Sequence, residues 1–310
     1  MDYQAFVDEQ IADIKSTVGN GLAINALSGG VDSSVVTVLG HRSLGNRLKT
    51  VFIENGLMRK NEPERVVQLF AKMGIPVALV DARAEFLNAL RGLTDPEEKR
   101  NAITKTFYST VFGRLVRETG AKFLLHGTIL TDIEETVAGI KRQHNILAQI
   151  GIDPEKEYGY QVLEPLKTLR KDGVREVAKV LGLPAGVTKR IPFPGPALAT
   201  RIVGEVTEER LATVREATAV VEEELGKTRA FQYMAVLLND RATGVLEGKR
   251  EFGQIIVVRC IDSLDARTAT PVRIPWKKLF RICERVTSIK GVNRCLYDLT
   301  PKPPATIEYI

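Results

Sequence analysis

Cysteine is scarce in this chain. There are three in 310 residues, Cys260, Cys283 and Cys295, with no CxxC or CxH spacing. An odd, scattered set excludes a disulfide framework and the usual zinc spacings, and it suits a reducing compartment. No apolar run approaches the roughly 20 residues that a membrane-spanning helix needs. The opening MDYQAFVDEQIADIKSTV is acidic and amphipathic, unlike the basic start and apolar stretch of a secretory signal. A cytoplasmic protein without membrane association is expected. Neither an internal repeat nor a low-complexity stretch is found. Charge of one sign is only mildly in excess: 44 basic against 38 acidic side chains leave +6. The basic residues are scattered, which fits an anionic partner such as a nucleotide phosphate better than a nucleic acid.

What is present is ordinary globular material, with 44% hydrophobic and 26% charged residues. At about 150 residues per domain the length argues for two domains. In the first, apolar runs bounded by turn residues read as buried strands at 22–27, 48–53, 76–80, 122–125 and 162–164. Helical patterns lie between them at 4–17, 31–39, 62–73, 84–119 (broken near Asp95-Pro96) and 172–181. Strands alternating with helices predict a Rossmann-like parallel sheet whose ligands sit beyond the carboxyl ends of the strands. Three prolines and a glycine in Ile191–Pro196 then stop regular structure. Beyond them come a helix N-capped by Thr207, strands at 235–238 and 254–261, a helix at 276–286 and an end strand at 294–299. This α/β chain is therefore divided into domains 1–200 and 201–310, the second a smaller α+β unit.

The sharpest local signal is Ser28-Gly29-Gly30-Val31-Asp32-Ser33-Ser34, between the first strand and the next helix. Two glycines let the backbone turn tightly and present N–H groups to an anion, and the helix start behind them adds partial positive charge. The serines add hydroxyl donors. Asp32 would repel phosphate unless it holds a cation, which assigns it to magnesium. No lysine follows the glycines, so this is not a Walker A loop, and the spacing is not GxGxxG.

SGGVDSS resembles the hallmark of the PP-loop ATP pyrophosphatases, which share the fold of adenine nucleotide alpha hydrolases. Further segments resemble one branch of that class, the ATP pyrophosphatase subunit or domain of GMP synthetase. They are FIENGLMR (52–59), TDPEEKR (94–100), Gly127-Thr-Ile129 with Asp132 and Glu135, EPL (164–166), Lys171-Asp172 with Val174-Arg175, PFPGP (192–196), Arg201 with GEV (204–206), and KPPATIE (302–308). The resemblance implies a purine-biosynthesis ligase that adenylates the oxo group of XMP with ATP, releases pyrophosphate, and lets ammonia displace AMP to give GMP. It implies catalytic roles for Asp32, Lys171 and Asp132, with magnesium on Asp32 and Asp132. ATP would lie on Ser28, Gly29, Gly30, Val31, Asp32, Ser33, Ser34 and Gly127, its adenine against Val51, Phe52 and Ile53. The purine nucleotide acceptor would meet Lys141, His144, Arg201, Arg250, Lys302, Ile307 and Glu308. A homodimer formed by the second domain is implied. No nucleophile-elbow cysteine or Cys/His/Glu set is present, so ammonia would come from solution or from a separate glutaminase subunit.

Departures from the family pattern concentrate toward the acceptor half. Thr131 replaces the proline of GTIxPDxIES, and the lid segment reads AGIKRQHN (138–145) where GKIKSHHN is usual. Ala197 stands where PFPGPGL has glycine, and Glu247–Phe252 and Asp265–Ala269 diverge from GDxRxY and DxMTA. These edits keep a second reading open: a PP-loop paralogue that adenylates a purine nucleotide or tRNA base and inserts sulfur from an external donor. A third reading is a nucleotide-binding regulatory dimer without turnover.

Overall fold

The computed structural model describes residues 1–137, 159–188, 191, 193–246, 248–264 and 266–310. The described elements run α1 (Tyr3–Val18), β1 (Ala23–Ala26), α2 (Val31–Leu44), β2 (Leu48–Glu54), α3 (Glu62–Lys72), β3 (Val77–Asp81), α4 (Arg83–Leu90) and α5 (Pro96–Lys105). After a π-helical stretch, Thr106–Phe112, come α6 (Gly113–Thr119), β4 (Phe123–Leu125), α7 (Leu130–Val137), β5 (Gln161–Leu163), α8 (Lys171–Val180) and α9 (Ala185–Thr188). The remainder is α10 (Glu208–Leu225), β6 (Gln232–Leu246), β7 (Lys249–Asp262), β8 (Thr270–Pro271), α11 (Trp276–Thr287) and β9 (Val292–Tyr297).

By contacts the chain forms two compact units. One comprises Met1–Glu54, Pro63–Ala82 and Thr104–Arg190; the other comprises Asn55–Glu62, Arg83–Ile103 and Ile191–Ile310. A single cut at residue 200 separates the two sheets, but residues 55–62 and 83–103, which precede it, make their contacts in the second unit.

The first unit is built on a five-stranded parallel sheet in the order β3-β2-β1-β4-β5. The expected α/β parallel sheet is thus present, with strand ends within a residue or two of those expected. Its central strands are apolar and covered on both faces, as parallel strands require. Ile24, Phe52 and Leu124 are all but inaccessible. One polar network crosses this core. Asn25 donates to Thr37 Oγ1 (2.6 Å), Thr50 donates to Asn25 Oδ1 (2.8 Å), and Thr37 Oγ1 donates to the Ser33 carbonyl (2.8 Å). Every buried polar atom named there has a partner, so the network fixes β1, β2 and α2 in register at little cost. The chain leaves β1 toward β2 and β3 on one side and reaches β4 and β5 on the other. The switch point therefore lies between β1 and β4.

The second unit holds a sheet in which β6 and β7 form a long antiparallel hairpin, β8 adds antiparallel to β7, and β9 adds parallel to β7. The hairpin is longer than its apolar runs predict. Residues 239–246 and 249–253 extend it, and the side chains of 239–245 and 249–252 are mostly polar and largely exposed, with no inward-facing pattern. The two-residue strand β8 is likewise invisible to periodicity. Helix α10 packs on β6. Thr207 caps it as expected, its side chain accepting from the Arg210 amide at 3.3 Å. The inner half of the sheet supplies a core around Met234, Val236 and Val257.

Candidate functional site

In the first unit the glycine loop bridges β1 and α2 at the carboxyl edge of the sheet, beside the switch point. Gly29 has φ +75°, a conformation that L side chains rarely adopt, which explains the glycine there. The loop is braced by its own serines. Ser28 N donates to Ser33 Oγ (3.2 Å), the two hydroxyls stand 2.9 Å apart, and Ser33 Oγ donates to the Gly30 carbonyl (3.1 Å). Gly127, just after β4, approaches this loop closely. A Cβ there would sit 3.3 Å from the Ser33 amide nitrogen and 3.4 Å from the Asp32 backbone.

Asp32 stands in the first turn of α2, where helix dipoles favour an acid. Lys171, at the start of α8, donates to its Oδ2 at 2.5 Å. The other oxygen, Oδ1, is buried and has no hydrogen-bond partner among the described residues. A shielded carboxylate oxygen without a donor is costly unless a cation or a bound donor meets it. Asp132 lies in the first turn of α7, buried, its Oδ2 accepting from the Ile129 amide at 3.1 Å. Among the described residues no group of three or more His, Cys, Asp or Glu side chains gathers to hold a metal by itself. Magnesium asks for less, being held by one or two carboxylates, water and substrate phosphates. Val51, Phe52 and Ile53 are core residues of β2, each no more than 4% exposed, and the Val51 carbonyl already accepts from the Leu27 amide.

The second unit has its own charged site. Arg201 is 1% exposed; its Nε and Nη2 lie 3.4 Å from the Glu308 carboxylate, and its Nη1 is buried without a partner among the described residues. Gln232 Nε2 also donates to Glu308 Oε1. The Phe193 ring is shared by two guanidinium groups, Arg59 at 4.1 Å and Arg201 at 4.9 Å from its centroid. The ring's negative face offsets part of the repulsion between them. Arg59 lies 2.8 Å from Glu222, close but not aligned as a hydrogen bond. Burial lowers the Arg59 pKa, Glu222 opposes this, and neighbouring Arg201 lowers it further.

The tail is pinned by Arg259, also 1% exposed. It donates to Asp298 (2.6 Å) and to the carbonyls of Thr300, Thr306 and Ile307 at 2.8–3.3 Å. Lys302 donates to the Ala266 carbonyl (2.8 Å) and pairs through its backbone with Ala269. The structure therefore gathers Arg201 and Glu308, with Ile307 adjoining on the same pinned tail. Arg250 stands apart from them, exposed near the tip of the β6–β7 hairpin opposite Val245. Lys141 and His144 lie outside the described residues.

Comparison with known proteins decides the family. A curated relative from Archaeoglobus fulgidus, named as one subunit of a glutamine-hydrolysing GMP synthase, is 49% identical over the full length of both chains. Relatives of the same name are 47% identical in Pyrococcus horikoshii (all of each chain) and 49% in Methanocella arvoryzae (100% of this chain, 99% of that one). The chain belongs to this family of GMP synthase subunits. A family model described as the GMP synthase C terminal domain also matches residues 219–309. The expectation drawn from the sequence motifs thus holds for the family.

Within this GMP synthase fold, sequence reasoning overlooked Arg59, Phe193, Gln232 and Arg259. Arg59 and Phe193 lie inside family-like segments, but nothing in their spacing shows that they stack. For Arg259 the one signal was a lone arginine inside an apolar strand, since such a residue is buried only with full pairing.

Proposed function

We propose that this chain aminates XMP to GMP, using ATP and ammonia and releasing AMP and pyrophosphate. It would act as the ATP pyrophosphatase subunit beside a separate glutaminase. Relatives matched end to end carry the name of one subunit of a glutamine-hydrolysing GMP synthase. The structural observation that carries the reading is the buried, donorless Asp32 Oδ1 beside Lys171 at the glycine loop.

The residues divide the work between the two units. Amides of residues 28–34 and the start of α2 receive the leaving pyrophosphate, and the loop hydroxyls supply further donors. Lys171 neutralises negative charge there and is kept oriented by Asp32. Asp32 and Asp132 would hold magnesium, which when bound supplies neutralisation of the β and γ phosphates. Gly127 lets the β4 loop lie close to the phosphates. Val51, Phe52 and Ile53, already in the core, would border the adenine as a wall rather than as exposed ligands. In the second unit Arg201 faces the acceptor's phosphate, while Lys302, Ile307 and Glu308 meet its base and ribose. Lys141 and His144 complete the proposed acceptor set, whereas Arg250, at the hairpin tip, stands outside the group that Arg201 and Glu308 form within the chain.

The bond that forms joins the base's oxo oxygen to the α-phosphorus; the bond that breaks frees pyrophosphate. Ammonia then displaces AMP at the same carbon. Positioning and charge neutralisation are what the protein contributes. Homodimerisation is supported by exposed apolar side chains in the second unit. Trp276 and Phe280 are 73% and 67% exposed with ring centroids 5.7 Å apart, and Leu299 is 68% exposed.

The deciding assay supplies XMP, ATP, magnesium and saturating ammonia. GMP with stoichiometric AMP and pyrophosphate is expected. ADP and orthophosphate, or no GMP at all, would overturn the reading. Sulfide in place of ammonia tests the sulfur-inserting alternative by product mass.

A further inference from the structure

Lys99 and Arg210 hold one stretch of backbone in alternation. Lys99 stands in the first turn of α5 and is only 2% exposed, a rare state for lysine. Its ammonium donates to the carbonyls of Ile202 and Gly204, both at 2.9 Å. Arg210, from α10, donates to the carbonyls of Val203 (2.7 Å) and Glu205 (2.6 Å), and to that of Leu238 (3.0 Å). Four successive carbonyls are thus taken in turn by a lysine and an arginine. Two cations held this close oppose one another. Burial, then Arg210, push the Lys99 ammonium down to about 8, against the pull of Asp95. The two carbonyl bonds favour the charged form.

The residue before this clamp is Arg201. Its own bonds to Glu308 are long, at 3.4 Å, and one of its nitrogens has no partner among the described residues. Apart from the Phe193 ring, 4.9 Å away, its side-chain partners hold the guanidinium loosely, so the backbone that carries it takes a share in placing it. We propose that Lys99 is a positioning residue for acceptor binding: by holding the Ile202 and Gly204 carbonyls it sets where the Arg201 guanidinium stands to meet the acceptor's phosphate. This rests on the reading of Arg201 given above.

The test compares Lys99→Met, Lys99→Arg, Arg201→Ala and the Lys99→Met/Arg201→Ala double variant in the full-length chain. Steady-state kinetics at saturating ammonia and direct calorimetric binding of XMP are the readouts. Lys99→Met is expected to raise the KM for XMP by about tenfold or more, leaving the KM for ATP and kcat within about twofold. Lys99→Arg should recover most of that loss. The double variant should bind XMP no worse than Arg201→Ala alone, because the lysine acts through the arginine. Additive losses, equal shifts in both KM values, or no recovery with Lys99→Arg would overturn the proposal. If Lys99→Met melts below the assay temperature, Lys99→Gln, which keeps a donor, replaces it with the same split expected. The two readings separate cleanly. Unchanged XMP binding in Arg201→Ala sinks the Arg201 assignment and the proposal together, whereas weakened binding there with a silent Lys99→Met sinks the proposal alone.

Discussion

Lys171 Nζ lies 2.5 Å from Asp32 Oδ2, while Oδ1 of the same carboxylate is buried with no hydrogen-bond partner among the described residues. One side chain thus faces two ways. It pairs with a lysine at the carboxyl end of the sheet and leaves a shielded oxygen, the one proposed above to meet a cation.

Replacing Asp32 with Asn keeps the shape and removes the charge. Turnover is expected to fall by about 100-fold or more, measured as pyrophosphate release. The ion pair it breaks is partly exposed, 46% on the lysine and 25% on the aspartate. The melting temperature should therefore move little. An independent readout is the EPR signal of Mn2+ added with ATP, which should lose its bound component. Retained activity and an unchanged spectrum would remove Asp32 from cation binding.

Gly127→Ala probes the approach of the β4 loop to the glycine loop. The new methyl would press on the Ser33 amide and the Asp32 backbone at 3.3–3.4 Å, so the glycine loop must shift by a few tenths of an ångström. A raised KM for ATP with an unchanged affinity for XMP is expected. Equal effects on both substrates would show that the glycine matters only for folding.

The tail carries a pH signature. Burial pushes the Asp298 carboxyl up, but hydrogen bonds from Thr300 and the Arg259 guanidinium outweigh it and hold the pKa below its ordinary 3.8. A carboxyl held low when folded contributes stability above its unfolded pKa and loses it as pH falls through the folded value. The contribution is complete at neutral pH and disappears in acid below about 3.8. Asp298→Asn should therefore melt lower at pH 7 and lose less on acidification than wild type. Arg259→Met leaves the half-buried Asp298 and three carbonyls without their donor and should cost about 3 kcal/mol. Parallel acid profiles in wild type and Asp298→Asn would contradict this account.

Thiol chemistry bears on sulfur transfer. Burial pushes Cys260 up to about 12, and burial with neighbouring Cys283 does the same for Cys295. Since the thiolate is the nucleophile, both should resist alkylation of the native protein at pH 8. Peptide mass mapping after iodoacetamide checks this. Rapid labelling of Cys260 or Cys295 would reopen a persulfide route that begins on the protein itself.

The glycine loop was readable because its chemistry is local. SGGVDSS names a turn, a helix start and an anomalous acid within seven residues, and β1 and β2 announce themselves as apolar runs. The contacts around Arg201 were not readable in this way. Arg59 and Arg201 meet on Phe193 from widely separated stretches, and no period or spacing connects them. The outer half of the β6–β7 hairpin escaped notice because its side chains carry no inward-facing pattern. Lys99 lies inside the family-like TDPEEKR, where nothing marks it out; only its carbonyl partners, more than one hundred residues away, reveal its burial.

The second compact unit is threaded from three separate stretches of the polypeptide, 55–62, 83–103 and 191–310. No truncation from either end can excise it whole. A fragment beginning at residue 191 would forfeit Arg59, whose guanidinium covers one side of Phe193, and Lys99, which holds the Ile202 and Gly204 carbonyls of the retained piece. Anyone wishing to study the second unit, and the acceptor binding proposed for it, in isolation would have to graft the two short excursions back on, or keep the polypeptide entire and silence the glycine loop by mutation.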